Sequence, residues 1–343
     1  MQLQNRMKKY GLDFSPSSIE MDSRKIIPGS VFVAVKGRFY DGHDYVSQAI
    51  ENGAKAVAGE MVYPGRRKGI IFVKTPKISE YMNSLAYDLY RDNLEKMDLF
   101  GVTGTNGKTS TVYFLHSIFN HAAQKCSLTG TVENLIGKEH IPSVNTTPFA
   151  PELFKILSRS FDLGFHTCAM EVSSHSLKED RIHGLEFSGG IFTNITADHM
   201  DYHGSMDDYI NSKMLIFSKM RNSAPMIINM DDPLLAKNEM IKKYANTVTF
   251  GQKGDFTIKE TSLSSSNASY TFIYQTKSYD VELKLSGSFA VYNSLGAIAL
   301  AVAKGMSVKT AVEGAQKLDL IPGRFQAIRM GNITVIVDYA HTP

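Results

Sequence analysis

Gly104-Thr-Asn-Gly-Lys-Thr-Ser110 follows the apolar run Met97–Val102 and opens the segment Lys108–Ala122. In that segment Val112, Leu115, Ile118, Phe119 and Ala122 share one helical face. Strand, glycine loop and helix in this order make a phosphate-binding loop and set an α/β fold class. The two glycines let the backbone approach an anion, and the loop N–H groups and helix N-terminus then point at it. Gly104, Thr105, Asn106, Gly107, Lys108, Thr109 and Ser110 are therefore expected to hold ATP. Lys108 would reach the β/γ-phosphates, and the Thr109 hydroxyl would hold Mg²⁺. The strict pattern G-x-x-x-x-G-K-[ST] asks for glycine at 102, where this chain has Val102. The loop is a variant. An ordinary glycine-rich turn is the plainer reading, and the strand before and helix after argue against it.

Composition narrows the class. A chain of 343 residues, 43% hydrophobic and 21% charged, fits a globular enzyme of two or three domains. A net charge of +3 gives no polyanion-binding surface, so no nucleic-acid partner is expected. Cys126 and Cys168 are far apart, form no metal motif and read as packing residues in a reducing compartment. The N-terminus has no apolar signal core, and no run approaches membrane-spanning length. A cytoplasmic monomer without membrane insertion is the expectation.

The chain divides near 92–97. Before that point, β-rich runs at Val31–Val35, Lys55–Ala58 and Ile70–Lys74 alternate with helical stretches at Tyr45–Asn52 and Ser79–Tyr90. They make a small α/β domain over 1–94. After it, the domain 95–343 has strands at Leu99–Val102, Ser127–Gly130, Thr167–Val172, Gly190–Asn194, Met226–Asn229 and Thr247–Phe250. Helical segments between them argue for a mostly parallel, covered sheet. Alternation over about 252–286 reads as a small antiparallel β subdomain. The helix Val291–Lys304 and the strand Ile333–Val337 are expected to return to the main sheet. Thr342-Pro343 reads as a helix start without its helix, so the chain is expected to be cut at a domain boundary.

Four polar clusters could carry chemistry. Glu171 ends an apolar strand where α/β sheets bind ligands, and an acidic residue there commonly serves Mg²⁺. Ser173 and Ser174 after it serve equally as helix caps. His199 and His203, four apart, would share a helix face and invite zinc. The missing glutamate of H-E-x-x-H and the lack of a third ligand favour a loop near the nucleotide. Lys213, taken alone, reads as a solvated surface lysine. Asn145-Thr-Thr-Pro148 opens the helix Ala150–Ser158 and suits either an anion or simple capping.

Together these segments resemble the Mur ligases, which build the peptide of bacterial cell-wall precursors. The matching stretches are 22–24, 32–34 with Gly37, 41–42, 101–110, 145–148, 170–176, 192–194, 198–204, Lys213, 322–324 and 338–343. They lie in family order along the whole chain, and the pattern is nearest that of the member adding the third residue. The resemblance implies an N-terminal domain holding UDP through Met21, Ser23, Arg38, Phe39 and Tyr40. It implies a MurNAc-dipeptide site at Asn145, Thr146, Thr147, Ser173, Glu179 and Arg181, although the family often has glutamine at 179. A carboxylate there cannot donate a hydrogen bond unless protonated. Asn293, Arg324 and Asp338 would contact the nucleotide. Thr109, Glu171, His199 and a carbamylated Lys213 would surround Mg²⁺, the carbamate being a suitable oxygen ligand.

The implied reaction is ATP-dependent amide formation through an acyl phosphate. A diamino acid, meso-diaminopimelate before L-lysine, would join the D-Glu of UDP-MurNAc-L-Ala-D-Glu. The family's third, C-terminal domain would follow Pro343, and without it nucleotide and UDP-substrate binding but little ligation are expected. The rivals are a folate-polyglutamate or cyanophycin-type ligase, a non-catalytic homologue that binds UDP-precursors, and a P-loop kinase or GTPase. Asp22–Arg24 and Asp41-Gly42 argue against the first, and Asn145–Pro148 with Lys213 against the last.

Overall fold

Val31, Phe32, Val33 and Ala34 are all buried, so the strand they form is covered on both faces, as parallel strands are. In this computed structural model, which describes residues 2–37, 40–61, 69–330 and 333–339, the chain forms two units. The first comprises residues 1–96, 148–162 and 179–185, and the second the remainder. In the first, β1 (Ile19–Glu20), β2 (Val31–Ala34), β3 (Ala56–Gly59) and β4 (Ile71–Lys74) pair in parallel in that order. The helix Ile78–Leu94 buries Ile78, Met82, Leu85, Ala86 and Leu94. It packs on the helices Gln2–Lys8 and Ala150–Asp162. The last of these comes from the middle of the chain. It is tied down by Asn93, whose amide donates to Ser158 Oγ and Asp162 Oδ1, each at 2.9 Å.

The second unit is built on one sheet. Its strands are β5 (Asp98–Thr103), β6 (Cys126–Thr129), β7 (Glu133–Ile136), β8 (Glu139–Pro142), β9 (Thr167–Glu171) and β10 (Gly189–Phe192). They continue with β11 (Met226–Asn229), β12 (Thr247–Gly251), β13 (Phe256–Leu263), β14 (Ala268–Tyr274) and β15 (Lys277–Leu283). The spatial order is β15-β14-β13-β12-β11-β10-β5-β9-β6-β7-β8. Pairing is parallel from β6 to β13 and antiparallel at both margins. The register Val102↔Glu171 and Thr103↔Phe192 brings the carboxyl ends of β5, β9 and β10 to one edge, where such sheets bind ligands. One face is covered by the helices Lys108–His121, Ser288–Ala303 and Val308–Gln316. The middle helix is apolar almost all round, which suits full burial.

One expectation is corrected, and one element was not expected. The alternating stretch forms the expected antiparallel hairpins, and Phe250↔Phe256 joins β13 to β12, so they stand at the margin of the main sheet. The final strand does not return to that sheet. Ile333–Val337 pairs antiparallel with Gln326–Met330 in a two-stranded ribbon. A short apolar run carries no record of its partner, and Val335, Ile336 and Val337 are exposed here. The polar hairpin β7–β8 lacks a strand-like apolar pattern and was not expected. The proposed helix start at Thr342-Pro343 lies outside the described residues. Among the described residues no helix is long and apolar enough to cross a membrane.

Candidate active site

The glycine loop runs from β5 into the helix Lys108–His121. Gly104 has φ +143° and Gly107 +86°, both in the region that favours glycine. A Cβ on Gly104 would stand 2.0 Å from Thr193 Oγ1, and one on Gly107 2.3 Å from Asn293 Oδ1. The segment after β10 fixes the loop. Thr105 N donates to Asn194 O and Asn106 N to Asn194 Oδ1, each at 2.9 Å. Thr193 Oγ1 donates to Asn106 O at 2.6 Å.

A pocket of about 180 Å³ opens beside the loop, lined by Lys108, Thr109, Thr131, Thr146, Glu171, Asp198, His199 and Arg324 among others. Glu171 is 1% exposed, and burial raises its pKa against the opposing pull of Lys108 and the Thr131 hydrogen bonds. Lys108 donates to Gly104 O at 3.0 Å and Thr105 O at 2.8 Å, and burial lowers its pKa. Arg324 Nη2 donates to Thr109 Oγ1 at 3.2 Å, while its buried Nε has no partner. Asp338 Oδ2 accepts from Phe325 N at 2.8 Å and so braces the turn carrying Arg324. A second pocket of about 330 Å³ adjoins the loop, lined by Asn106, Asp231, Phe250, Phe289, Tyr292 and Asn293 among others. Its mixture of rings and amides suits a nucleoside.

The residue-only reading of Lys213 as a surface lysine fails. Lys213 is 2% exposed, and its Nζ donates to Gly104 O at 2.7 Å, the carbonyl that Lys108 also uses. Burial first, and then the charge of Lys108, push its pKa well below the usual lysine value. Burial beside the phosphate loop thus favours the neutral form of the Lys213 amine.

Two protein-family models match the chain. The model described as "Mur ligase middle domain" matches residues 102–301, and that of "Mur ligase family, catalytic domain" matches 16–89. A UDP-N-acetylmuramoyl-L-alanyl-D-glutamate–2,6-diaminopimelate ligase of Geobacillus thermodenitrificans is 37% identical over 95% of this chain and 68% of its own length. The chain belongs to the Mur ligase family. Its members are ATP-dependent ligases. The Clostridium tetani protein of the same name is 36% identical over 97% of this chain and 69% of its own. A solved structure of a ligase with that name superposes with a TM-score of 0.78 at 26% identity, covering 100% of this chain and 72% of that one.

The Mur ligase motif Asp198–His203 does not form a histidine pair on one helix face. His199 stands before the helix Met200–His203 as its N-cap, with φ +54°, and lines the smaller pocket. His203 is buried, with Nδ1 2.9 Å from Asp208 Oδ2 and Nε2 2.9 Å from Ser174 Oγ. Both ring nitrogens are thereby engaged by the protein. Among the described residues no three His, Cys, Asp or Glu side chains group closely enough to chelate an ion. The donor set still fits Mg²⁺, which uses one or two carboxylates, keeps waters and shares substrate phosphates. A Cβ on Gly130 would stand 2.4 Å from Glu171 Oε1, so the chain leaves room for that carboxylate at the pocket.

The capping reading of the serines and threonines is met by hydrogen bonds within the turn. Ser173 Oγ accepts from Ser176 N at 3.1 Å as a cap, and Thr147 Oγ1 donates to Glu171 O at 2.9 Å. Asn145 and Thr146 are half-buried beside them. In the first unit Ser23 is buried, donating to Gln48 Oε1 at 2.6 Å, Met21 is half-buried and Tyr40 is 75% exposed. Arg38 and Phe39 lie outside the described residues. Arg181 and Glu179 also fall in this unit. Arg181 Nε donates to Glu179 Oε2 at 2.7 Å, so the carboxylate at 179 serves as an acceptor. The sequence reading passed over Gly130, Thr131, Thr193, Asn194 and Asp198 as site residues. All sit just past the carboxyl ends of β6 and β10, which was the available signal.

Proposed function

We propose that this Mur ligase uses ATP to activate the D-glutamyl carboxylate of UDP-N-acetylmuramoyl-L-alanyl-D-glutamate and joins it to a diamino acid, meso-diaminopimelate first. The observation that carries this reading is the pocket that gathers Lys108, Thr109, Glu171 and His199 at one sheet edge. Such a site suits phosphoryl transfer to a carboxylate between two anions that otherwise repel. The names of the relatives supply the substrate.

Gly104–Ser110 would take the phosphates, with Asn293, Arg324 and Asp338 toward the nucleotide. The unpartnered Arg324 Nε suits a phosphate oxygen. Met21, Ser23 and the stretch 38–40 would hold the UDP part. Asn145, Thr146, Thr147, Ser173 and Arg181 would hold the dipeptide. Thr109, Glu171, His199 and carbamylated Lys213 would hold Mg²⁺, which supplies charge neutralisation on the phosphates. The Lys213 amine in its neutral form, which burial favours, can add to CO₂, forming an N–C bond and releasing a proton to give the carbamate.

In the reaction a glutamyl carboxylate oxygen bonds to the γ-phosphorus as the bond to the β-bridging oxygen breaks, and ADP forms. Lys108 neutralises charge that develops on the transferred group. The diamino-acid nitrogen then attacks the acyl carbon, loses a proton, and phosphate leaves with the carboxylate oxygen. The test uses ¹⁸O in the D-glutamyl carboxylate, ATP, and either diaminopimelate or L-lysine. One label should appear in phosphate, and a tripeptide product should form with diaminopimelate, slowly for the 343-residue chain taken alone. Product with lysine alone would reassign the amino acid. Tight UDP-dipeptide binding without any labelled phosphate would leave a non-catalytic binding protein.

A further inference from the structure

Thr131 stands between two parts of the second unit that the proposed function uses separately. Its backbone N–H donates to Glu171 Oε1 at 2.7 Å. Its hydroxyl lies 3.0 Å from Glu171 Oε2 and also 3.0 Å from Thr146 Oγ1. Gly130, just before it, is the residue whose missing side chain makes room for the Glu171 carboxylate. The turn holding Thr146 is fixed to the same strand end by Thr147, which donates to Glu171 O at 2.9 Å and accepts from Ser173 N at 3.1 Å. The two segments that flank the Thr131 hydroxyl are therefore tied together, and the hydrogens of Thr131 and Thr146 can each be re-aimed.

A threonine hydroxyl carries one hydrogen and can accept two bonds, whereas a carboxylate only accepts. When the Thr131 hydrogen points at Glu171, its oxygen can accept from Thr146. When it points at Thr146, Glu171 Oε2 loses that donor and has a lone pair open to a cation. The Thr146 hydroxyl decides between the two. If it donates to an anionic group arriving in the pocket, its oxygen becomes an acceptor for Thr131.

We infer that Thr131 is a positioning residue whose hydroxyl couples occupancy of the Asn145–Thr147 turn by the substrate's carboxylate to divalent-cation binding at Glu171. The inference rests on the function proposed above and adds a sign to it. A carboxylate at Thr146 turns the Thr131 hydrogen away from Glu171 and frees a further lone pair on Oε2 for a cation. The coupling is reciprocal, so the cation raises affinity for the UDP-dipeptide by the same factor. One re-aimed hydrogen bond is worth about fivefold in affinity.

The experiment measures Mn²⁺ binding by electron paramagnetic resonance on the whole 343-residue chain, with a saturating non-hydrolysable ATP analogue. Titrations run with and without UDP-N-acetylmuramoyl-L-alanyl-D-glutamate on the wild type, Thr131→Val and Thr131→Ser. Expected is Mn²⁺ binding about fivefold tighter with UDP-dipeptide in the wild type and in Thr131→Ser. In Thr131→Val the ratio should fall to one while the melting temperature holds. The same ratio in Thr131→Val as in the wild type would overturn the relay alone. A Thr131→Ser protein that also loses the ratio would overturn it too, because the hydroxyl would then not be the cause. Failure of the wild type to bind UDP-dipeptide at all would remove the proposed substrate, and the relay with it.

Discussion

Gly104 shows how narrow the residue-scale tolerances are. Its φ of +143° strains any side chain, and an added methyl would stand 2.0 Å from Thr193 Oγ1. Gly104→Ala should weaken binding of an ATP analogue at least tenfold, about 1.4 kcal/mol, with an unchanged circular dichroism spectrum. Calorimetric titration checks this, and wild-type affinity would contradict it. His116 offers a second residue-scale outcome. Burial pushes its pKa down to about 4 from 6.5, against the weaker opposing pull of Glu133. Between those values the unfolded chain binds the proton and the folded one does not, so the stability present above pH 6.5 is lost as pH falls toward 4. The full effect is of order 3 kcal/mol. His116→Gln should flatten the fall of the urea midpoint between pH 6.5 and 4, while the wild type keeps it. Lys213 shows the limit of reading residues singly. Its burial depends on Gly104 O, which lies 109 positions away, and no local pattern records that.

At the scale of elements, strand ends are positioned by a few buried polar side chains. Asp232 caps the helix Pro233–Lys237 through Leu234 N at 2.9 Å and Leu235 N at 3.0 Å. Its other oxygen accepts from Ile195 N at 2.8 Å, tying that helix to the segment after β10. Asp232→Ala removes a cap and leaves a buried N–H unsatisfied, a loss of about 3 kcal/mol. Urea denaturation of the second unit should show it, and nucleotide binding should weaken because Asp232 lines the larger pocket. A stability change under 0.5 kcal/mol would mean that water replaces the carboxylate. The apolar strands β5, β9, β10 and β11 were legible because a buried parallel strand is a continuous apolar run. The hairpin β7–β8 was not, since its residues are mixed and its pairing decides its form. The strand Ile333–Val337 was seen as a strand but given the wrong partner.

Across the whole molecule, ligands should act on different residues. A saturating ATP analogue at a hundred times its dissociation constant should add about 2.7 kcal/mol of stability. Hydrogen exchange should show its protection over 104–110, 193–199 and 289–293, and that of UDP over 20–37. Protection of 104–110 by UDP alone would contradict this assignment. The unit boundaries themselves were only partly legible. A break near 92–97 shows in composition, but the helix Ala150–Asp162 joins the first unit by packing on Ile78–Leu94, a contact between distant stretches. The sequence alone determined the α/β class, the phosphate loop and the family pattern, because glycine conformation, strand burial and helical periodicity are local properties. Tertiary structure alone decided that Lys213 is buried with its pKa lowered, that β13–β15 extend the main sheet, and that Thr131 stands over Glu171. Those outcomes depend on which strand ends meet, and Thr131 reaches Glu171, 40 positions away, only because β6 pairs with β9.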